Sequence, residues 1–181
     1  MGKRKEKIKM IYALALGANI SSRFGSSTKS LKMTTKILNE KNIRIIRKSS
    51  IYFSPPKDFK SAAYTFVNAV VLVESSLKPL LLLRELKKIE HLMGRNLYKK
   101  NTSRTCDLDI ILSKTYKNFS DMDKNFSCFI PHPEMCSRNF VLKPLLEICP
   151  NWRHPDKQKN IKTLINSNIS KDIVFKSHKN L

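Results

Sequence analysis

The chain is 181 residues long and 41% hydrophobic, which suits one compact domain with a real core. Its net charge is +21, yet only nine of the 35 basic residues are arginine. Scattered lysines read as compositional bias that also favours capture of a polyanionic substrate, rather than as a nucleic-acid footprint. With only four glycines, no G-x-x-x-x-G-K-S/T and no G-x-G-x-x-G, P-loop and Rossmann nucleotide binding are excluded, and no apolar run approaches the ~18 residues of a membrane span.

Residues 1–9 read as a disordered basic extension, 10–167 as a single domain and 168–181 as a tail. A short apolar run predicts a strand over 11–16. Leu31, Thr34, Thr35 and Leu38 fall on one side of a helix over 26–41, which Ser26 or Ser27 can cap. The β-branched stretch 43–53 predicts a strand that Pro55 and Pro56 end. A polar loop over 57–63 precedes a strand over 64–73. Leu83, Leu86, Ile89 and Met93 share one face of a helix over 78–93, with Pro79 in its first turn and Gly94 past its end. A polar loop over 95–104 leads to a strand over 106–112. From residue 114 a loop is followed by helical segments near 138–149 and 160–167. The order is β-α-β-β-α-β, the pattern of a ferredoxin-like α+β sandwich with C-terminal helical additions.

Within the strand at 106–112, Asp107 and Asp109 point to the same face, their Cα atoms about 6.6 Å apart. Leu108, Ile110 and Leu112 are expected to point into a core. Two adjacent carboxylates repel, and a hard divalent cation relieves that; Mg²⁺ commonly takes one or two carboxylates plus phosphate oxygens. The bland alternative is a pair of exposed acids on an edge strand. Arg104, three residues upstream, suits a transferring phosphoryl group. His132 stands between Pro131 and Pro133, followed by Arg138, as a weak anion-binding edge. Cys128, His132 and Cys136 lack a fourth zinc ligand, and the two prolines break any helix there. No CxxC joins the four cysteines, which points to reduced thiols in a cytoplasm. Asn68 interrupts an apolar strand. It is either a satisfied core amide or a reader of a flat heterocycle, with Phe66 on the same face and Phe140 available to stack.

Six landmarks in order carry a resemblance. They are Leu16-Gly17-Ala18-Asn19-Ile20, Ser49 to Pro56, Phe66-Val67-Asn68-Ala69, Glu90-x-x-Met93-Gly94-Arg95, Arg104-Thr-Cys-Asp-Leu-Asp109, and Pro131-His132-Pro133-x-Met135-x-x-Arg138-x-Phe140. From about residue 11 to 155 the chain resembles 6-hydroxymethyl-7,8-dihydropterin pyrophosphokinase, with variants similar to its alphaproteobacterial branch. The resemblance implies transfer of pyrophosphate from ATP to the pterin hydroxymethyl group in folate biosynthesis, by a cytoplasmic monomer without nucleic-acid or membrane partners. It also implies two Mg²⁺ ions on Asp107 and Asp109. Glu90, Arg104, Ile110, His132 and Arg138 match ATP-site positions, and Arg95 matches a basic residue beside the active-site loop. Ser54, Pro55, Phe66, Asn68 and Phe140 match the pterin site. Lys87 stands where the family often has glutamine, and 96–104 departs from the usual arginine-bearing loop. The competing readings are a nucleic-acid-binding ferredoxin-like module, for which no RNP1-like segment is present, and an inactive scaffold.

Overall fold

A computed structural model describes residues 8–56, 64–96, 102–168 and 173–181. The predicted loop 57–63, most of the 1–9 extension, residues 97–101 of the next loop and residues 169–172 of the tail lie outside them. One antiparallel sheet carries the fold. Strand β1 (Met10–Ala18) lies between β4 (Phe66–Ser75) and β5 (Asp107–Ser113). The far edge of β4 pairs first with β2 (Arg44–Lys48) and then with β3 (Ser50–Ser54). Helices α1 (Ser27–Glu40) and α2 (Pro79–Leu92) cover one face. With β2 and β3 taken as one strand, this is the expected ferredoxin-like arrangement.

Each helix starts and stops for local reasons. The Ser26 side chain accepts from Lys29 N at 3.5 Å at the start of α1. Pro79 occupies the first turn of α2, where its missing N–H costs nothing, and Gly94 follows the helix at φ +88°. Leu31, Leu38, Leu82, Leu86 and Ile89 turn inward onto Tyr12, Leu14, Leu16 and Leu108 to make the first core. The other face is covered at one end only. There α3 (Asn139–Ile148) and α4 (Ile161–Ser167) pack Val141, Leu142, Leu145 and Leu164 on Ala13, Val70 and Leu72. The uncovered end becomes the cleft described below.

Four features differ from the sequence reading. The predicted strand 43–53 is two strands, because Ser49 completes the ladder with its side chain: Ser49 N donates to Val70 O, and Ser49 Oγ accepts from Val70 N, both at 2.9 Å. Leu112 does not share a face with Leu108 and Ile110. A register shift sets Ile110 opposite Leu14 but Leu112 opposite Ala13, so the bulged Ile111 sends Leu112 to the second core. The stretch read as a loop holds a hairpin, β6 (Phe119–Met122) with β7 (Ser127–Ile130), whose turn is closed by Asp123 accepting from Asn125 N and Phe126 N. Within the stretch read as a tail, β8 (Phe175–Asn180) extends the sheet beyond β3. Lys176 there meets Glu147 of α3 at 2.6 Å, and Glu147 also accepts from Tyr52 Oη and Ser50 N.

Candidate active site

The open end of the sheet is shaped by side-chain size. On the face opposite α1 and α2, β1 presents Ile11, Ala13, Ala15 and then Gly17, so the floor deepens along the strand. Gly17 lies opposite Asn68 on one side and Asp107 on the other. A Cβ at Gly17 would stand 3.7 Å from both Asn68 Oδ1 and the Asp107 Cβ. The missing side chain therefore leaves a gap between an amide and a carboxylate. Ser54, Pro55, Phe66 and Phe140 wall the amide side of the cleft, and Arg104, Asp109 and Arg138 wall the carboxylate side.

On the amide side, Asn68 is buried and donates through Nδ2 to Ser54 Oγ at 3.0 Å. That bond orients the carboxamide and turns its oxygen toward the space above Gly17. Phe66 and Phe140 contribute aromatic surface, with the Arg138 guanidinium 5.9 Å from the Phe140 ring centre. The composition suits a flat ring with N–H groups on its edge.

On the carboxylate side, β5 projects Asp107 and Asp109 together, as its alternation requires. Arg95 donates to Asp107, and Arg104 Nη1 lies 2.5 Å from Asp107 Oδ2. Burial opposes ionisation of Asp107, but Arg95, Arg104 and Lys87 outweigh it and hold the carboxyl below its ordinary range. Asp109 stands farther from its cations: Lys87 Nζ at 3.6 Å and Arg138 Nη1 at 3.9 Å. Arg138 also pairs with Glu134. Asn19 ties the segment before β5 to the end of β1. Its Oδ1 accepts from Arg104 N at 2.7 Å, its Nδ2 donates to Ser103 Oγ at 3.1 Å, and its own N–H donates to Arg104 O at 3.0 Å.

Four of the residues singled out from the sequence, Glu90, Arg95, Ile110 and His132, stand outside the cleft wall. Glu90 is fully buried on α2; it accepts from Leu108 N at 2.7 Å and pairs with Lys87 at 2.8 Å and Arg95 at 2.6 Å. Its place is beneath the site, holding Arg95 against β5. The Ile110 side chain lies in the first core. Leu108 turns its N–H to Glu90 and its C=O to Lys87, away from β1. By strand alternation, Ile110 also turns its main chain to that outer edge. His132 N donates to Ile111 O at 2.8 Å, and its Nδ1 accepts from Glu134 N at 3.2 Å, which places the proton of the neutral ring on Nε2. Burial lowers the His132 pKa; the Asp109 charge opposes this and Arg138 adds to it.

Lys87, Gly17 and the anchoring bonds of Asn19 had no assigned role in the sequence reading. Gly17 and Asn19 sit in a quoted motif, but Lys87 reads as one more charged position on a helix. Glu90 has a measurable signature. Burial raises its pKa to about 7 from an ordinary 4.5, against the pull of Lys87 and Arg95. The stability linked to this proton is fully present below about pH 4.5 and lost as pH rises through 7. Urea titrations should show wild type losing roughly 3 kcal/mol relative to Glu90→Gln across that window. Equal slopes for the two proteins would show that Glu90 is ionised throughout.

Residues 13–150 match the family model described as 7,8-dihydro-6-hydroxymethylpterin-pyrophosphokinase (HPPK). A Haemophilus influenzae protein named 2-amino-4-hydroxy-6-hydroxymethyldihydropteridine pyrophosphokinase is 35% identical over 145 residues, 80% of this chain and 85% of that one. The folic acid synthesis protein fol1 of Pneumocystis carinii is 34% identical over 160 residues, 88% of this chain. This chain spans only 20% of that longer relative. Among solved structures, a Plasmodium falciparum HPPK-DHPS (A437G with STZ-DHP) superposes with a TM-score of 0.70 at 18% identity, covering 90% of this chain and 46% of that one. That likeness establishes the shared fold.

Proposed function

Since the chain belongs to the 7,8-dihydro-6-hydroxymethylpterin-pyrophosphokinase family, we propose that it transfers pyrophosphate from ATP to 6-hydroxymethyl-7,8-dihydropterin, yielding AMP and the pterin diphosphate for folate biosynthesis. The observation that carries this is the two-sided cleft: an oriented amide, on a wall that also holds Phe66 and Phe140, lies across Gly17 from a carboxylate pair paired with arginines.

In this reading the pterin lies between Phe66 and Phe140. Asn68 Oδ1 accepts from its N–H edge, and Ser54 and Pro55 close the slot. The nucleotide approaches along the outer edge of β5, where the Ile110 main chain and His132 stand. Arg104 and Arg138 turn to its phosphates, and Arg95 supports Asp107 from behind. The pterin hydroxyl oxygen bonds to the β-phosphorus as the bond between that phosphorus and the α–β bridging oxygen breaks. The hydroxyl proton is released and AMP leaves. The chain's own contribution is position and charge neutralisation.

Among the described residues no three His, Cys, Asp or Glu side chains group to hold a metal. Two carboxylates at the cleft rim are what the protein offers, and that donor set fits Mg²⁺ shared with phosphate oxygens. Asp107 and Asp109 would hold two such ions, whose bound charge would offset that building on the phosphates. We expect a cytoplasmic monomer acting on small molecules. No helix among the described residues is long and apolar enough to cross a membrane. Paired acids at the cleft rim disfavour the nucleic-acid reading.

Turnover with ATP, Mg²⁺ and the reduced hydroxymethylpterin tests the proposal. AMP and pterin diphosphate should appear in equal amounts. Formation of ADP instead would contradict pyrophosphoryl transfer.

A further inference from the structure

We propose that Lys87 is a fixed cation that keeps Asp107 and Asp109 from holding a divalent ion by themselves, so that metal enters only together with the triphosphate. This rests on the magnesium reading above. Lys87 reaches from α2 around the edge of β5 that pairs with no strand among the described residues. Its ammonium donates to Leu108 O at 3.0 Å and to Glu90 Oε1 at 2.8 Å, and stands 3.6 Å from Asp109 Oδ1. Burial works against its charge, but Asp109, Glu90 and Asp107 reverse that and hold it protonated.

The other cations differ in kind. Arg104 and Arg138 line the cleft, so their guanidinium groups can follow incoming phosphates. Arg95 is shared between Glu90 and Asp107. Lys87 is outside the cleft wall and tethered by two partners, so its charge stays when the arginines move. A divalent ion at the carboxylates must share them with this resident charge at close range. Without nucleotide it must also displace the arginines. A triphosphate draws the arginines away and adds its own oxygens to the coordination shell. Only then does binding overcome the Lys87 field.

The test is equilibrium binding of Mn²⁺, read by the electron-spin signal of the free ion, on the full chain without nucleotide. Wild type should bind weakly. Lys87→Gln, whose amide can still donate to Leu108 O, and Lys87→Met should each bind about tenfold more tightly or better, and Lys87→Arg should stay at the wild-type level. The gain must vanish in Lys87→Gln combined with Asp109→Asn. Circular dichroism selects the variants that remain folded. Unchanged or weaker Mn²⁺ binding in the folded neutral variants overturns the inference. A second arm adds a non-hydrolysable ATP analogue. If wild type then binds Mn²⁺ no better than Asp107→Asn and Asp109→Asn do, the magnesium reading itself falls. The two failures are therefore distinguishable.

Discussion

Asp109→Ala should cut pyrophosphoryl transfer by about 10³-fold or more while leaving the fold intact. The reason lies in how the two acids are held. Asp107 is locked between Arg95 and Arg104, so its removal leaves two guanidinium groups facing each other and lowers the melting temperature as well as the rate. Among the described residues, Asp109 has only the longer contacts to Lys87 and Arg138. Its loss therefore separates chemistry from stability. The double variant should lose little beyond the single ones, because the pair acts as a unit. Initial rates of AMP formation, with melting curves, check this. Near-normal rates in both single variants would remove the carboxylates from the mechanism.

The second large effect is expected at Asn68. Asn68→Leu keeps the side-chain size and an apolar strand, but deletes the acceptor over Gly17 and the donor to Ser54 Oγ. A slot built to hydrogen-bond a ring edge loses that recognition outright. kcat/KM for the pterin should fall about 10²- to 10³-fold. Nucleotide affinity should be unaltered, since Asn68 lies on the far side of Gly17 from the carboxylates. Folding stability should shift by about 1 kcal/mol, because Ser54 Oγ loses only one partner. A fall in ATP affinity of the same size would show instead that Asn68 supports the whole cleft.

Those two residues were also the most legible in the sequence. Alternation alone puts Asp107 and Asp109 on one face, and an amide inside an apolar strand is conspicuous because burying it requires partners. The helices were legible for the same kind of reason: α1 and α2 repeat their apolar residues at helical spacing between a serine cap or proline start and a defined stop. What escaped depends on long-range pairing. Ser49 looks like any β-strand serine until Val70 lies beside it. The bulge at Ile111 has no local mark, since Ile110, Ile111 and Leu112 suit either face. Strands β6 and β8 are short and polar, and are strands only because β7 and β3 accept them. Lys87 is identical in type to the surface lysines around it. Only the return of β5 beneath α2 turns it inward.

Gly17 separates what the fold demands from what the ligand demands. Its backbone does not adopt the left-handed conformation that Gly25 and Gly94 do, and an added Cβ would meet its neighbours at ordinary contact distance. The folded chain would accept alanine there. In a host that obtained folate from outside, this position would be free to drift, whereas a cell dependent on the reaction would hold it as glycine. Gly17→Ala should accordingly melt like wild type and yet fail to sustain growth when the chain is the only source of the activity. An inhibitor thicker than the substrate over that floor would meet resistance first at this residue. Such resistance would be bought with catalytic rate and would leave stability untouched.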